Sequence, residues 1–261
     1  MNIKNLLLKR IRRFISSFLF DPLLLLIKLR AIPVYIKNMY TYWKSNQNPS
    51  FNISLLNLEY STYDKFFSAG EIRGHYFFQD LWAARKIYDS KIKIHYDVGS
   101  RIDGFIAHII PFCYVNYIDI RNFDTEIKNL NFIQGNILEL PFEDNSIYSL
   151  SCLHVIEHIG LGRYGDKVEP NGYVKAAKEL SRVLAIGGQL LLGTPIGKLK
   201  LCFDAHRVFS YDLIIDIFRD LELLEFNFIP DKADKIIYNA DPNITLKSDY
   251  GCGLFVFTKK I

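Results

Sequence analysis

The sequence predicts an α/β domain built on a doubly wound, mostly parallel sheet of about seven strands, preceded by an N-terminal helical extension. Three observations predict it. Apolar, strand-like runs alternate with segments of helical period from residue 77 onward. Acidic residues and glycines recur just past the ends of those runs, where a sheet of this kind binds its ligands. The first fifty residues stand apart in charge and periodicity.

The elements follow in order. "FFQDLWAARKIY" (77–88) repeats apolar residues at helical steps. "KIKIHYDV" is an apolar strand, "GFIAHIIPF" reads as helical, and "YVNYIDI" is the second strand. "NFIQGN" and "SIYSLSCL" supply the third and fourth strands. "GYVKAAKELSRVLAIGG" reads as a helix of about 15 residues closed by a glycine. "QLLLGTP" is the fifth strand, and Ser210 opens the next helix, "SYDLIIDIFRD", as an N-cap. "LELLEFNF" and "GLFVFTKK" close the chain as strands. Together these define a Rossmann-like domain over residues 61–261, after an extension and linker over residues 1–60.

Half of the 261 residues are apolar and 15% are aromatic, a composition that supports a packed core and excludes a disordered chain. Nine Lys and Arg stand in residues 1–50 against Asp21 alone, so a net +8 sits there and −4 on the other 211 residues of a chain whose total is +4. That is a basic arm on a mildly acidic body. It points to an anionic membrane surface as partner through residues 1–30, and no nucleic acid is expected. "NLLLKRIRRFISSFLF" places Leu7, Ile11, Phe14, Ile15, Phe18 and Leu19 on one helical face and Lys9, Arg12, Arg13 and Ser16 on the other. Asp21-Pro22 stops this helix and starts a second, "LLLLIKL". No 18-residue apolar run and no small-residue cleavage site follows, so neither a membrane span nor a signal peptide is expected. Cys113, Cys152, Cys202 and Cys252 form no CxxC pair and read as thiols of a cytosolic protein, peripheral at the inner face of the membrane.

The strand ends carry the chemistry. After the first strand comes "YDVGSRIDGF", with Asp97, Gly99 and Ser100. Asp119 ends the second strand twenty residues beyond Gly99, the spacing at which an acidic residue reaches ribose hydroxyls. Gly135-Asn136 follows the third strand, and "HVIEHIGLGRYGD" follows the fourth. The set suits an adenosine-containing cofactor better than any single motif does.

"FIQGNILELPFEDNSIYSLSCLHVIEHI" and "AAKELSRVLAIGGQLLLGTP" resemble the core of class I S-adenosylmethionine-dependent methyltransferases. More narrowly, "DVGSRIDGF", "EHIGLGRYGD" and "DAHRVFS" resemble an uncharacterised branch of that superfamily, a domain of unknown function. The resemblance spans residues 90–260 and implies S-adenosylmethionine as cofactor. It places the methionine half by Asp97, Gly99 and Ser100, the ribose on Asp119, and the adenine by Asn136 and Ile137. The family loop reads acid-x-Gly-x-Gly-x-Gly, and Arg101 and Asp103 replace its later glycines here. A cofactor without pyrophosphate tolerates that change; Arg101 is expected to pair with its carboxylate and Asp103 with its ammonium.

The implied activity is methyl transfer, with O-methylation of a sugar or glycan in surface-polysaccharide assembly as the finer expectation. His158 is the expected general base and His206 the second candidate, since a hydroxyl must lose its proton as it is methylated. Arg163, Tyr164, Asp166 and Arg207 are expected to orient the acceptor. Two alternatives stand beside this reading. One is a binding or scaffold protein that keeps the fold without activity, favoured by the altered loop. The other is a zinc hydrolase, because "HVIEH" matches H-x-x-E-H; the glycine-rich flank leaves no helix long enough for it, so no metal is expected.

Overall fold

The computed structural model describes residues 21–66 and 74–260. The chain forms two compact units, residues 1–71 and 72–261. The basic amphipathic helix read in residues 5–20 lies outside the described residues.

In the first unit, helix α1 (Pro22–Ser45) begins where expected. Asp21 caps it by accepting from the Leu23 amide at 2.9 Å and the Leu24 amide at 3.2 Å. The helix runs for 24 residues, well past "LLLLIKL", and carries Pro33 inside it. Short 3₁₀ turns at Pro49–Phe51, Leu55–Asn57 and Thr62–Phe66 follow. The Tyr60 hydroxyl donates to the Lys28 carbonyl, and its ring meets Tyr35 edge-on at 5.2 Å, tying the turns to α1.

The second unit opens with α2 (His75–Ser90) and holds a seven-stranded sheet in the order β3-β2-β1-β4-β5-β9-β8. Its strands are β1 (Ile94–Val98), β2 (Tyr114–Asp119), β3 (Leu130–Gln134), β4 (Ile147–Leu153), β5 (Leu184–Ile196), β8 (Glu222–Ile229) and β9 (Gly251–Thr258). β1 to β5 are mutually parallel, and β9 runs antiparallel between β5 and β8. Helices α3 (Gly172–Val183) and α4 (Tyr211–Ile217) complete the unit. The parallel strands are buried on both faces and therefore read as near-continuous apolar runs. One core gathers Leu150, Leu180, Leu190, Phe218 and Phe255; the other gathers Trp82, Phe105, Ile106, Val115 and Leu254. Strand order reverses at β1, which has β2 on one side and β4 on the other. A crevice opens at such a switch point, past the carboxyl ends of the strands.

Three local readings change. α3 ends at Val183, and Leu184 already belongs to β5, so Gly187 and Gly188 lie inside the strand and do not cap the helix. A Cβ on Gly188 would stand 3.0 Å from the Ile147 carbonyl oxygen, and the β4–β5 register slips between Ile147 and Ser149. The glycine thus permits a bulge where two backbones close in. "GFIAHIIPF" forms only a single π turn (Ile102–Ile106) and a short α turn (Ala107–Ile109). A hairpin of β6 (Lys200–Cys202) and β7 (His206–Val208) was not legible, its strands being three residues each.

Candidate active site

A cavity of about 760 Å³ occupies the crevice, a volume within the range of small-molecule sites. The ends of β1, β2 and β4 and the segment after β3 wall it. Gly99, Ser100, Asp119, Asn136 and Ile137 all line it.

Asp97 does not line it. The carboxylate is fully buried beneath the loop, accepting from the Ser100 amide at 2.9 Å, the Ser100 hydroxyl at 2.6 Å and the Ser151 hydroxyl. Burial pushes its pKa up to about 6 against the pull of those hydrogen bonds. Ser151 also meets His95, whose second ring nitrogen reaches Ser149; both contacts are 2.8 Å. The acid therefore pins the β1 loop onto β4 from below. Gly99 holds φ +69° above it, a conformation that favours glycine, and its amide donates to the Ile118 carbonyl at 2.9 Å.

Arg101 and Asp103 line the cavity but satisfy each other. The guanidinium Nε and Nη2 donate to the two carboxylate oxygens at 3.0 and 2.7 Å. The guanidinium also lies 4.8 Å over the Tyr76 ring. The expected pairing of each with one end of a cofactor is replaced by an internal ion pair, because two residues of spacing let the fork close on its own loop. At Gly104, one place further on, a Cβ would stand 2.2 Å from the Asp80 carboxylate, which would have to turn aside.

Asp119 is likewise engaged. Arg121 grips it through its amide at 2.8 Å, Nε at 3.0 Å and Nη2 at 2.8 Å, and the Tyr117 hydroxyl adds a contact at 3.2 Å. Burial raises the Asp119 pKa, but the Arg121 hydrogen bonds outweigh it and leave a net lowering. Arg121 also stacks 4.8 Å over Tyr164, spanning the cavity mouth from β2 to the glycine-rich loop.

Of the four residues expected to orient an acceptor, two are architectural and lie outside the cavity lining. Arg207 donates to the carbonyls of Ile159 at 2.7 Å and Pro170 at 3.2 Å. Arg163 donates to the Ala205 carbonyl at 3.0 Å. Asp166 lines the cavity, but its carboxylate gathers the amides of Gly160, Gly162 and Tyr164 at 2.8, 3.3 and 3.2 Å and so folds the loop. Tyr164 faces the cavity.

The two histidines part company. His206 sits in β7 against Tyr250, ring centroids 5.1 Å apart, and is not among the lining residues. His158 does line the cavity. Its Nδ1 lies 2.6 Å from the Ala205 carbonyl, which only accepts, so Nδ1 donates there and in the neutral ring Nε2 is the accepting nitrogen. Residues 156–160 form turns, not a helix, and His158 is committed to Ala205, so "HVIEH" does not assemble the helical zinc hydrolase site.

Two polar lining residues escaped the sequence reading, and Glu157 entered it only as the glutamate of "HVIEH". Tyr76 lines the cavity from the start of α2, and Arg121 follows Asp119 closely enough to have been noticed. Glu157 is 1% exposed, accepts from His154 at 2.6 Å, and lies 3.7 Å from His158 Nε2.

The family described as "Caenorhabditis protein of unknown function, DUF268" matches residues 125–239. No curated protein matches the chain. Among solved structures, the N-methyltransferase NodS from Bradyrhizobium japonicum WM9 superposes with a TM-score of 0.50 at 14% identity, covering 70% of this chain and 95% of that one. The Burkholderia thailandensis 1,6-didemethyltoxoflavin-N1-methyltransferase gives 0.50 at 12% identity, covering 70% and 79%. This is the class I methyltransferase fold. The [4+2]-cyclase SpnF also gives 0.50 at 12% identity over 70% and 80%, so the fold by itself does not choose the reaction.

Proposed function

We propose that the chain is an S-adenosylmethionine-dependent methyltransferase acting on a hydroxylated small molecule. The observation that carries this reading is the cavity at the strand switch point, where Gly99, Ser100, Asp119 and Asn136 converge. The Burkholderia relative was solved with S-adenosylhomocysteine bound. The residues fit such a ligand: φ +69° at Gly99 bares the loop backbone, Asp119 offers paired acceptors, and apolar Ile118 and Ile137 flank them. Bound there, S-adenosylmethionine supplies a sulfonium methyl group for in-line displacement. His158 Nε2 takes the acceptor's hydroxyl proton as the new carbon–oxygen bond forms. Tyr76 and Tyr164 add phenols to the cavity lining, and its apolar residues exclude water.

The grip of Arg121 on Asp119 supports a second reading, a scaffold protein whose cofactor site is closed. The geometry favours the enzyme. Arg121 holds Asp119 with a side chain that is more than half exposed and can yield to a ligand, while the Asp119 carboxylate stays largely buried in the cavity wall. Calorimetry with S-adenosylhomocysteine separates the two. The wild type binds; Asp119→Ala weakens binding roughly 10- to 150-fold, and Arg121→Ala changes it by about fivefold or less. No binding to the wild type at millimolar ligand leaves the scaffold reading.

The finer reading is O-methylation of a sugar or glycan in surface-polysaccharide assembly at an anionic membrane face. It rests on the basic first fifty residues and on α1, which exposes Leu26, Leu29, Ile36 and Trp43 beside Lys28 and Arg30. No helix among the described residues is long and apolar enough to cross a membrane. Attachment of this kind is electrostatic, contributing about 1 kcal/mol per cation near the surface, and is screened by salt. Binding to vesicles containing phosphatidylserine should fall steeply with salt and disappear when Arg10, Arg12 and Arg13 become Glu. Equal binding to neutral vesicles removes this part of the proposal.

A further inference from the structure

Beside the cavity, three elements bring together side chains that methyl transfer does not require. His75 begins α2, His154 follows β4, and Cys252 lies near the start of β9. Their nitrogen and sulfur donors all lie within 4.8 Å of one another. His75 and His154 are each 8% exposed and Cys252 is fully buried.

His154 is the informative member. Its Nε2 is buried with no hydrogen-bond partner, while its Nδ1 lies 2.6 Å from the Glu157 carboxylate. The carboxylate accepts the Nδ1 proton and so fixes the orientation of the ring. A carboxylate behind an imidazole in this way is the arrangement that orients a metal-ligating histidine and strengthens its donation. His154 also holds φ +56°, a strained conformation for a non-glycine residue, with its amide donating to the Gly193 carbonyl at 2.7 Å. A buried ring nitrogen set beside a thiol, its nearest polar neighbour, and a second imidazole suits a cation with affinity for nitrogen and sulfur.

We propose that His75, His154 and Cys252 bind one zinc ion, with Glu157 as the outer carboxylate and water in the fourth position. Two imidazoles and a thiolate without a carboxylate donor suit zinc and exclude magnesium and calcium, which prefer oxygen. Tetrahedral zinc, with bonds of about 2.0–2.3 Å, sets its donors roughly 3.5 Å apart, so the three side chains close by about an ångström. The Cys252 thiol gives up its proton to solvent as the sulfur–zinc bond forms. The other cysteines stand elsewhere: none of Cys113, Cys152 or Cys202 joins the cluster. This site differs from the H-x-x-E-H pattern, because His158 takes no part. His154 also lines the cavity, so the ion would fasten the start of the turn that carries His158 against α2 and β9. The inference stands whether or not the protein transfers methyl groups.

Cobalt reports on the thiolate directly. The full-length wild type, stripped with chelator and titrated with Co²⁺, should show a thiolate-to-cobalt charge-transfer band that saturates at roughly one ion per chain. Cys252→Ala should abolish the band, and Cys202→Ala, which removes the half-buried cysteine of the hairpin, should keep it. Zinc added to the stripped wild type should raise its melting temperature, a readout that does not depend on whether the variants fold. A wild type with no charge-transfer band in excess Co²⁺ and no thermal shift with zinc overturns the proposal. So does a band that survives Cys252→Ala.

Discussion

His158→Ala lowers the rate of methyl transfer by roughly 10²–10⁴-fold, the range for loss of a general base and equivalent to about 2.7–5.5 kcal/mol of barrier. Affinity for S-adenosylhomocysteine stays within about twofold, since a base that acts only as the bond forms contributes little to ground-state binding. The Ala205 carbonyl holds the Nδ1 proton at 2.6 Å, so the nitrogen left to accept is Nε2. His158 lines the cavity and His206 does not. His206→Ala should accordingly leave turnover within about twofold. Release of S-adenosylhomocysteine, followed with an acceptor that the wild type methylates, measures both. The assignment fails if His158→Ala loses less than about fivefold, or if His206→Ala loses as much as His158→Ala.

Gly160→Ala unfolds the glycine-rich loop and costs about 3–5 kcal/mol of stability, read as a fall in the denaturant midpoint. Gly160 has φ +77°, and a Cβ there would stand 1.9 Å from the Glu169 carbonyl oxygen. That oxygen belongs to backbone already fixed by the Glu169 amide, which donates to the Gly160 carbonyl at 3.0 Å, so it cannot rotate aside. Gly165 is the control. Its φ is +83°, yet nothing lies within 4 Å of the position of its Cβ. Gly165→Ala therefore carries only the conformational cost of a left-handed alanine, about 1–2 kcal/mol. Equal losses at the two positions would show that backbone strain, and not the clash with Glu169, governs the loop.

Much of the fold was legible because its signals are local. The apolar runs ending at Val98, Asp119, Gln134 and Leu153 are the parallel strands, and the residues just beyond them wall the cavity. Parallel strands buried on both faces must be continuous and apolar, so they stand out in a linear reading. The short β6–β7 hairpin carries no such period, and the glycines of "AIGG" imitate a helix end while serving a bulge in β5. The site was legible by position and much less by role. Asp97, Arg101 and Arg207 were picked out as ligand-binding groups, and each is consumed by hydrogen bonds within the protein.

The sequence by itself determined the doubly wound sheet, the place of the cavity at the ends of its strands, and the charge of the N-terminal arm. Periodicity and the identity of residues beside one another suffice for those. Only the tertiary structure decided which polar groups remain free. A hydrogen bond or an ion pair forms at about 3 Å, and whether two groups reach that distance depends on register and loop path, not on spacing along the chain. Asp119 is held by Arg121 and Arg101 by Asp103, whereas His158 keeps Nε2 because Ala205, far away in sequence, takes its other proton. His75, His154 and Cys252 lie on three distant segments, and only the packing of α2 and β9 against the end of β4 brings their donors together.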